Sequence, residues 1–314
     1  MINRRHIRLK VMQSLYAFFT SKEKDLTKAQ KQMLKQIDSI TQLYFILLSL
    51  LPELAHFSKV FLDEQKHKHF PSDADINPNE KFANNQLIAL IQVDEKVRKQ
   101  LKKVSGIWNN NDHDLIRKLF VEIWKSELYT QYIEQSETTF SEDQSFVLSI
   151  LNEFVFEHQL IHHILEEQSI YWLDDLPFVV QILFSQIKSA KQNSSFSEIN
   201  DSFKNKEDKD FAKKLFAITI LNHQEFENII VEKAKNWDLE RIAIMDQMLI
   251  KMALCELMYF DEIPIKVSLN EYIEVSKYYS TNKSKNFING ILDKVINEYK
   301  KSGKIKKVGR GLLE

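Results

Sequence analysis

The sequence predicts an all-α protein, because it has few residues that break helices and many that repeat at helical spacing. Only 5 of its 314 residues are Gly and 5 are Pro, which is too few for a turn-rich β-sheet protein. Apolar residues recur at intervals of three and four, the spacing that places them on one face of a helix. With 44% hydrophobic residues, the chain can also fill a large core.

The apolar periodicity predicts a succession of helices along the whole chain. Two polar interruptions divide it, from His67 to Lys81 and from Gln192 to Asp208, and we place the main domain boundary at the second. The predicted helices cover approximately residues 7–19, 30–63, 84–104, 112–135, 142–168, 172–190, 207–235, 238–258, 268–279 and 284–300.

Positive charge is concentrated at the two ends of the chain, although the net charge is only −1. Residues 1–35 contain nine Lys or Arg against two acidic residues, and residues 300–314 contain six against one. Basic segments of this kind favour an anionic partner such as nucleic acid, although they also occur as solubilising tails.

Composition argues against a membrane or secreted protein. The longest apolar run, Leu43–Leu51, is followed by Pro52 and is far shorter than the roughly 20 residues that span a bilayer. We therefore expect a core helix there and no membrane partner. The single cysteine, Cys255, cannot form an internal disulfide, which favours a cytoplasmic location.

Catalytic and metal-binding patterns are weak. His158, His162 and Glu166 have a spacing that could hold a metal ion on one helix face, but they lack the His-Glu-x-x-His order, and an exposed polar helix face is the favoured interpretation. We find no Gly-rich phosphate loop, nucleophile motif or pair of cysteines. The sequence therefore predicts a protein that is not an enzyme and binds no cofactor.

The C-terminal third contains the most specific local signals. Ser268 and Glu271 have the spacing of a capping box, which predicts that a helix begins there. Glu256 lies in the apolar stripe of the preceding helix, so we expect its carboxylate to find donors by capping a neighbouring helix. Asn289 and Gly290 lie within helical apolar spacing, so we predict a helix in which the Gly allows a neighbour to approach closely.

Four segments of this region stand in a fixed order. They are Trp237-Asp-Leu-Glu-Arg-Ile-Ala, Leu249-Ile-Lys-Met-Ala-Leu-Cys-Glu-Leu257, Ile263-Pro-Ile-Lys-Val-Ser-Leu-Asn-Glu271 and Lys285-Asn-Phe-Ile-Asn-Gly-Ile-Leu-Asp293. The start of the chain adds Arg4-Arg5-His-Ile-Arg8 and Gln13-Ser-Leu-Tyr16. Together they resemble the NusB family of bacterial transcription antitermination factors.

The resemblance implies a helical bundle with a NusB-like C-terminal half and an additional N-terminal helical region. The family is usually less than half as long as this chain. We therefore expect four regions: a basic first helix in residues 1–20, a helical insertion of unknown role in 21–200, the NusB-like domain in 207–300 and a basic tail in 301–314.

The arginines of the first helix occupy positions that helix stability disfavours. Arg4, Arg5 and Arg8 are expected in its opening turns, where free backbone amides make the helix end positive and each cation costs roughly 0.3 to 1 kcal/mol. A phosphate would meet both the guanidinium groups and the free amides. We therefore interpret these three residues, with Lys10, as RNA-binding.

The resemblance implies a second RNA-binding element near the Asn-Gly motif. Its candidates are Lys283, Ser284, Lys285 and Phe287. The two lysines could equally lie on a solvated helix start. Phe287 could stack on a base or belong to the core.

The resemblance also implies partners: a boxA-type single-stranded RNA, the ribosomal protein that serves as NusE, and the transcription elongation complex. Tyr16 and Asp246 align with family positions that face NusE, and their alternatives are an interior aromatic and a surface carboxylate. The implied function is antitermination of ribosomal RNA transcription. The alternative is an RNA-binding appendage or scaffold in ribosomal RNA modification or ribosome assembly, because ribosomal RNA methyltransferases carry the same module.

Overall fold

The structure is a computed structural model that describes residues 2–22, 24–108, 114–135, 139–197, 199, 201–234, 241–281 and 283–312. The segment from Trp237 to Glu240, which begins the first NusB-like motif, lies outside the described residues.

The described residues form α-helices and no β-strand, so the prediction of an all-α fold is confirmed. A π-helical segment, Leu151–Val155, follows α8, and a 3₁₀ segment, Gly309–Leu312, lies near the end of the chain. The helices are α1 (Arg4–Thr20), α2 (Leu26–Lys66), α3 (Asp73–Ile76), α4 (Gln86–Val93), α5 (Glu95–Val104), α6 (Leu115–Trp124), α7 (Glu127–Glu134), α8 (Phe140–Ile150), α9 (Gln159–Gln168), α10 (Trp172–Ser189), α11 (Lys206–Leu221), α12 (His223–Lys233), α13 (Ile244–Tyr259), α14 (Ile265–Tyr279) and α15 (Ser284–Lys301).

Several predicted helices are divided in two by capping residues that apolar periodicity does not reveal. Asp94 accepts hydrogen bonds from the amides of Lys96 and Val97 and starts α5. Ser126 accepts one from the amide of Tyr129 and starts α7. Such side chains replace the missing intrahelical partners of a first turn, so a new helix begins without any break in the apolar pattern.

The chain divides into two compact units. Unit 1 comprises residues 1–37 and 203–314, and unit 2 comprises residues 38–202. The interpretation of residues 21–200 as an insertion stays a prediction.

Unit 1 is built around α13, which packs against α1, α11, α12, α14 and α15. Every residue from Met248 to Leu257 is buried, including Lys251 and Glu256. A helix with apolar residues all round must be enclosed, and the five neighbouring helices enclose α13. Each large aliphatic side chain buried here contributes roughly 1.5 to 3 kcal/mol, so α13 anchors the elements that carry the site.

Unit 2 has a core rich in aromatic rings. Phe82 contacts Phe120, Tyr129 and Phe146, and the ring of Tyr132 stacks on Phe146 with centroids 3.7 Å apart. The two ends of the unit lie together, because the Ser202 hydroxyl lies 2.6 Å from the Thr41 hydroxyl and 3.4 Å from the Asp38 carbonyl oxygen. Unit 2 therefore begins and ends at one place.

The helix that contains Leu43–Leu51 is α2, which continues through Pro52. By length and composition alone, α2 could cross a membrane, since its most apolar stretch has a mean hydropathy of 1.5. However, 61% of that stretch is buried within the protein. Burial of this extent is typical of a core helix.

Two predictions about the C-terminal helices are corrected. α14 begins at Ile265 with Pro264 as its N-cap, and Ser268 lies one turn inside the helix, so no capping box forms. Asn289 and Gly290 do lie inside α15, as predicted, but a Cβ atom added at Gly290 would have no neighbour within 4 Å. Gly290 therefore does not serve a close approach.

Candidate nucleic-acid interface

The first helix begins where its arginines are, as the sequence predicted. Asn3 is the N-cap of α1, and its side-chain oxygen accepts a hydrogen bond from the amide of His6. The buried face of α1 includes Ile7, Val11 and Leu15, which fix the helix to unit 1 through its contacts with α11 and α13. This packing determines where each arginine side chain lies.

Arg8 points into the protein and forms a buried ion pair with Glu256. Its Nε and Nη2 atoms donate to the two carboxylate oxygens at 2.8 and 2.6 Å. The hydroxyls of Ser268 and Tyr272 donate to the same carboxylate at 2.6 and 2.9 Å. Burial alone would lower the pKa of the Arg8 guanidinium, but the charge and hydrogen bonds of Glu256 outweigh burial and raise it.

This network corrects two predictions. Glu256 does find the donors that its burial requires, but they are side chains and not the amides of a neighbouring helix. Arg8 is only 2% exposed, so it is a structural residue and cannot contact RNA in this conformation. A buried carboxylate in need of a cation explains why an arginine stands at this position near a helix N-terminus.

Arg4 and Arg5 lie at the surface, and each is also paired with a carboxylate. Arg5 donates two hydrogen bonds to Glu271, at 2.9 and 2.8 Å, while Arg4 donates one to Asp208 at 3.0 Å. The hydrogen bond from Arg5 is the main cause of a lowered pKa of Glu271. The two arginine side chains are nevertheless 43% and 51% exposed. A guanidinium group has five N–H donors, so both retain donors for a further ligand.

Because each of these arginines has a carboxylate partner, the prediction that helix stability disfavours them is corrected. Each cation near the positive end of α1 is compensated by Asp208, Glu256 or Glu271. Exposed pairs of this kind contribute about 0 to 1 kcal/mol, so they offset the unfavourable helix dipole without any phosphate. The positions of Arg4 and Arg5 permit RNA binding but do not require it.

Three further predicted residues lie in the interior. Lys10 is 1% exposed and Ser284 is 1% exposed, so neither is available to RNA in this conformation. Asp246 is 6% exposed and accepts hydrogen bonds from Ser280 and Ser284 at 2.5 and 2.8 Å. Asp246 therefore fixes the start of α15 to α13, so the alternative of a surface carboxylate is wrong, and little of the side chain is left for a partner in this conformation.

The remaining predicted residues are accessible. Lys283 and Lys285 are exposed at the start of α15, and Phe287 is half-buried. The pKa of Glu274 is lowered, first by a hydrogen bond from Lys277 and then by the charges of Lys277, Arg5 and Lys285. Glu274 on α14 therefore lies within electrostatic range of both predicted basic elements.

The structure also brings together residues that the sequence did not connect. A cleft of about 510 Å³ lies between the start of α1, the start of α14 and the C-terminal segment. Six of the residues that line it are Arg4, Arg5, Glu262, Pro264, Val267 and Arg310. The positive charge at the chain terminus was visible in the sequence, but no local pattern placed Arg310 beside Arg4 and Arg5.

The predicted histidine pattern does not form a metal site. His158 precedes α9 with its Nε2 atom 3.7 Å from Glu122, and His162 makes a 2.7 Å contact with the carbonyl oxygen of Phe156. Within the described part of the chain, no cluster of three His, Cys, Asp or Glu side chains could hold a metal ion. Cys255 is buried, and burial raises its pKa to about 12, so it is a poor nucleophile.

Comparison with known proteins identifies the C-terminal part of the chain. Residues 176–297 match the family model described as the NusB family. The matched range begins inside α10 of unit 2 and continues through most of unit 1. No solved structure matches the chain.

Three curated relatives carry the name transcription antitermination protein NusB. The protein from Chloroherpeton thalassium is 47% identical over 106 residues, which cover 34% of this chain and 50% of that protein. The Salinibacter ruber protein is 43% identical over 105 residues, covering 33% of this chain and 66% of the relative. The Natranaerobius thermophilus protein is 38% identical over 81 residues, covering 26% and 58%.

The chain thus spans between half and about two thirds of the length of these relatives. The four C-terminal motifs that resemble the family all lie within the matched range, whereas the two motifs at the start of the chain lie outside it. The all-helical structure of unit 1 agrees with the fold that the resemblance implied. The chain therefore contains a domain of the NusB family, which occupies most of its C-terminal half.

Proposed function

We propose that this protein is a cytoplasmic transcription antitermination factor that acts by binding and not by catalysis. It binds a boxA-type single-stranded RNA together with the ribosomal protein that serves as NusE. The complex joins the transcription elongation complex and supports transcription of ribosomal RNA. The observation that carries the proposal is the match of residues 176–297 to the NusB family, whose curated relatives are named for antitermination.

In this proposal the RNA backbone contacts Arg4 and Arg5 on α1 and Lys283 and Lys285 on α15. All four side chains are exposed or half-exposed, and the two arginines keep unused N–H donors. Phosphate contacts of this kind position single-stranded RNA without reading its sequence. Phe287, half-buried beside Lys285, is the candidate for stacking on a base.

A fluorescence anisotropy titration tests the RNA contact. The probe is a labelled boxA-type RNA, and the variant is Arg4→Ala/Arg5→Ala. Arg8 is retained because its loss would leave the buried Glu256 carboxylate without its cation. We expect the parent protein to bind with an affinity that falls as salt rises. The variant is expected to bind at least tenfold more weakly, since about two phosphate contacts are lost.

The matched control is Arg98→Ala/Lys99→Ala, which removes two exposed cations from α5 in unit 2. It changes the net charge by the same amount and should leave RNA affinity unchanged within about twofold. Equal weakening by both variants would indicate nonspecific attraction and contradict the proposed site.

The partner contact is assigned to Tyr16, which lies on α1 and is 42% exposed. Tyr16→Ala should reduce the gain in RNA affinity that the ribosomal partner provides and leave the affinity for RNA alone unchanged. The same titration with and without the purified partner measures both quantities. An unchanged partner effect would remove Tyr16 from the interface.

A further inference from the structure

The described segment that follows α15 folds back onto the rest of unit 1 and contributes Arg310 to the arginine cleft. We propose that the segment from Gly303 to Leu312, here named the strap, is a built part of the RNA site, and that Arg310 binds a backbone phosphate. This inference rests on the proposed RNA-binding function and adds to it a residue and an element.

The strap is tied to the body by backbone and side-chain hydrogen bonds. The amide of Val308 donates to the carbonyl oxygen of Asp261 at 3.0 Å, and the amide of Ile305 donates to that of Tyr299 at 3.1 Å. The side chain of Ile305 is 7% exposed. The strap is therefore fixed at Ile305 to the end of α15 and at Val308 to the loop that follows α13.

Lys307 fixes the middle of the strap to the end of α13. Its ammonium group donates to the carbonyl oxygens of Phe260 and Glu256 at 2.8 and 3.3 Å. Each of these oxygens also accepts a backbone amide, Glu256 from Phe260 and Phe260 from Ile263, so Lys307 adds a second, charged donor at the negative end of the helix. The ammonium group of Lys307 therefore fixes the strap, so Arg310 is the strap residue that we consider for ligand binding.

Gly311 fits the strap closely against the loop between α13 and α14. A Cβ atom added at Gly311 would lie 2.0 Å from the carbonyl oxygen of Asp261, a distance that no real contact allows. Gly311 is buried, although its neighbours Arg310 and Leu312 are exposed. The absence of a side chain at this position permits the strap to dock.

Docking places Arg310 in the cleft that Arg4 and Arg5 also line. The guanidinium groups of Arg4, Arg5 and Arg8 each have a carboxylate partner. For Arg310, by contrast, no ion pair is found within the described residues, although Glu262 also lines the cleft. Among the described residues that line the cleft, Arg310 is thus the arginine for which no ion pair is found.

These features favour a phosphate group as the ligand. Guanidinium groups bind phosphate through paired N–H donors, and an arginine without a carboxylate partner gives up no ion pair when it does so. The cleft is open and about 510 Å³ in volume, which admits part of a nucleotide backbone. Single-stranded RNA that contacts Arg4 and Arg5 would meet Arg310 across the same cleft.

The test is an anisotropy titration of a labelled boxA-type RNA with the full chain and three variants. Arg310→Ala removes the charge, Gly311→Ala leaves the charge but displaces the strap, and Lys306→Ala is the matched control. Lys306 is an exposed strap lysine that does not line the cleft. Thermal melts by circular dichroism verify that each variant is folded.

We expect Arg310→Ala to weaken binding by roughly fivefold and to reduce the slope of log affinity against log salt by about 0.7, the value for one phosphate on a single strand. Gly311→Ala should weaken binding similarly, and the double variant should be no weaker than Arg310→Ala alone. Lys306→Ala should change neither the affinity nor the slope appreciably.

The outcomes separate this inference from the proposed function. The parent protein binds RNA in both of the following cases, so the proposed function stands. If Arg310→Ala leaves the affinity unchanged, or if Lys306→Ala weakens it as much as Arg310→Ala does, the role of Arg310 is overturned. Additive effects of Arg310→Ala and Gly311→Ala would overturn the docked strap as the reason for that role. No binding by the parent protein would overturn the proposed function and this inference together.

Discussion

Arg8 and Glu256 form a buried ion pair that links the first helix of unit 1 to its central helix. The two residues are 248 positions apart in sequence, and they are 2% and 0% exposed. The four hydrogen bonds to the Glu256 carboxylate offset the cost of burying its charge. This pair therefore couples the start of the chain to its C-terminal half.

Removal of one partner should destabilise the protein strongly. Arg8→Met leaves the Glu256 carboxylate buried with only two hydroxyl donors, and we expect a loss of about 3 to 5 kcal/mol in the free energy of unfolding. Arg8→Met/Glu256→Gln removes the unpaired charge and should lose clearly less. Urea unfolding followed by circular dichroism measures both. A loss below about 1 kcal/mol for Arg8→Met would show that the pair is not important for stability.

His6 makes the stability of unit 1 depend on pH. Burial, with the nearby charges of Lys10 and Arg5, lowers its pKa from 6.5 to about 4. The folded protein therefore resists protonation of His6 that the unfolded chain accepts, so this stability is complete above pH 6.5 and is lost as pH falls toward 4. Between pH 7 and 5 we expect a loss of roughly 1 to 2 kcal/mol, a range that allows for partial exposure.

Urea unfolding at several pH values provides the measurement for His6. His6→Gln should flatten the pH dependence in this window. The control is His67→Gln, which removes a histidine whose side chain is 76% exposed and should leave the pH dependence unchanged. Equal pH dependence in the parent protein and His6→Gln would contradict the assignment.

At the scale of elements, apolar spacing predicted where most of the helical segments lie, but it missed α3 and the divisions that begin α5 and α7. Apolar spacing predicted α15 because one continuous face of it is buried, and α13 because its buried residues surround the helix. The start of α14 was missed because Ser268 and Glu271 have the spacing of a capping box but serve as partners of Glu256 and Arg5. A local motif cannot reveal that tertiary contacts use its side chains otherwise.

Gly290 provides a test of packing in α15. It lies inside the helix with no neighbour within 4 Å of an added Cβ atom, so Gly290→Ala should raise the free energy of unfolding by about 0.5 to 1 kcal/mol. Gly303→Ala is the contrasting variant, because Gly303 has a φ of +70° and should lose stability when substituted. Destabilisation by Gly290→Ala would contradict the structure, because it would show that a neighbour packs against this position.

At the scale of the whole molecule, the candidate site was predictable only in part. The concentration of positive charge at both chain ends indicated the elements that now line one cleft. The carboxylates of Asp208 and Glu271 could not be assigned to Arg4 and Arg5, because such pairings form only when distant segments pack together. The docked strap was missed for the same reason, since a short basic tail has no apolar period of its own.

The division into two units predicts that RNA binding belongs to unit 1. The ends of unit 2 meet at Asp38 and Ser202, so a short Gly-Ser linker can replace residues 38–202. The shortened protein should fold as a helical unit and bind the boxA-type RNA within about threefold of the full chain. Circular dichroism and anisotropy measure these properties. A folded but inactive shortened protein would place an essential RNA contact in unit 2, which includes residues 176–202 of the family match.

The proposed role of the α1 arginines is tested most directly by comparing the RNA affinities of Glu271→Gln and Arg5→Ala. Glu271 accepts two hydrogen bonds from Arg5, and the Gln variant removes its charge while keeping a side chain of the same size. If Arg5 binds phosphate, Glu271→Gln should tighten RNA binding several-fold and Arg5→Ala should weaken it, with both effects shrinking as salt rises. The same direction of change in both variants, or no change in either, would contradict RNA binding at this surface.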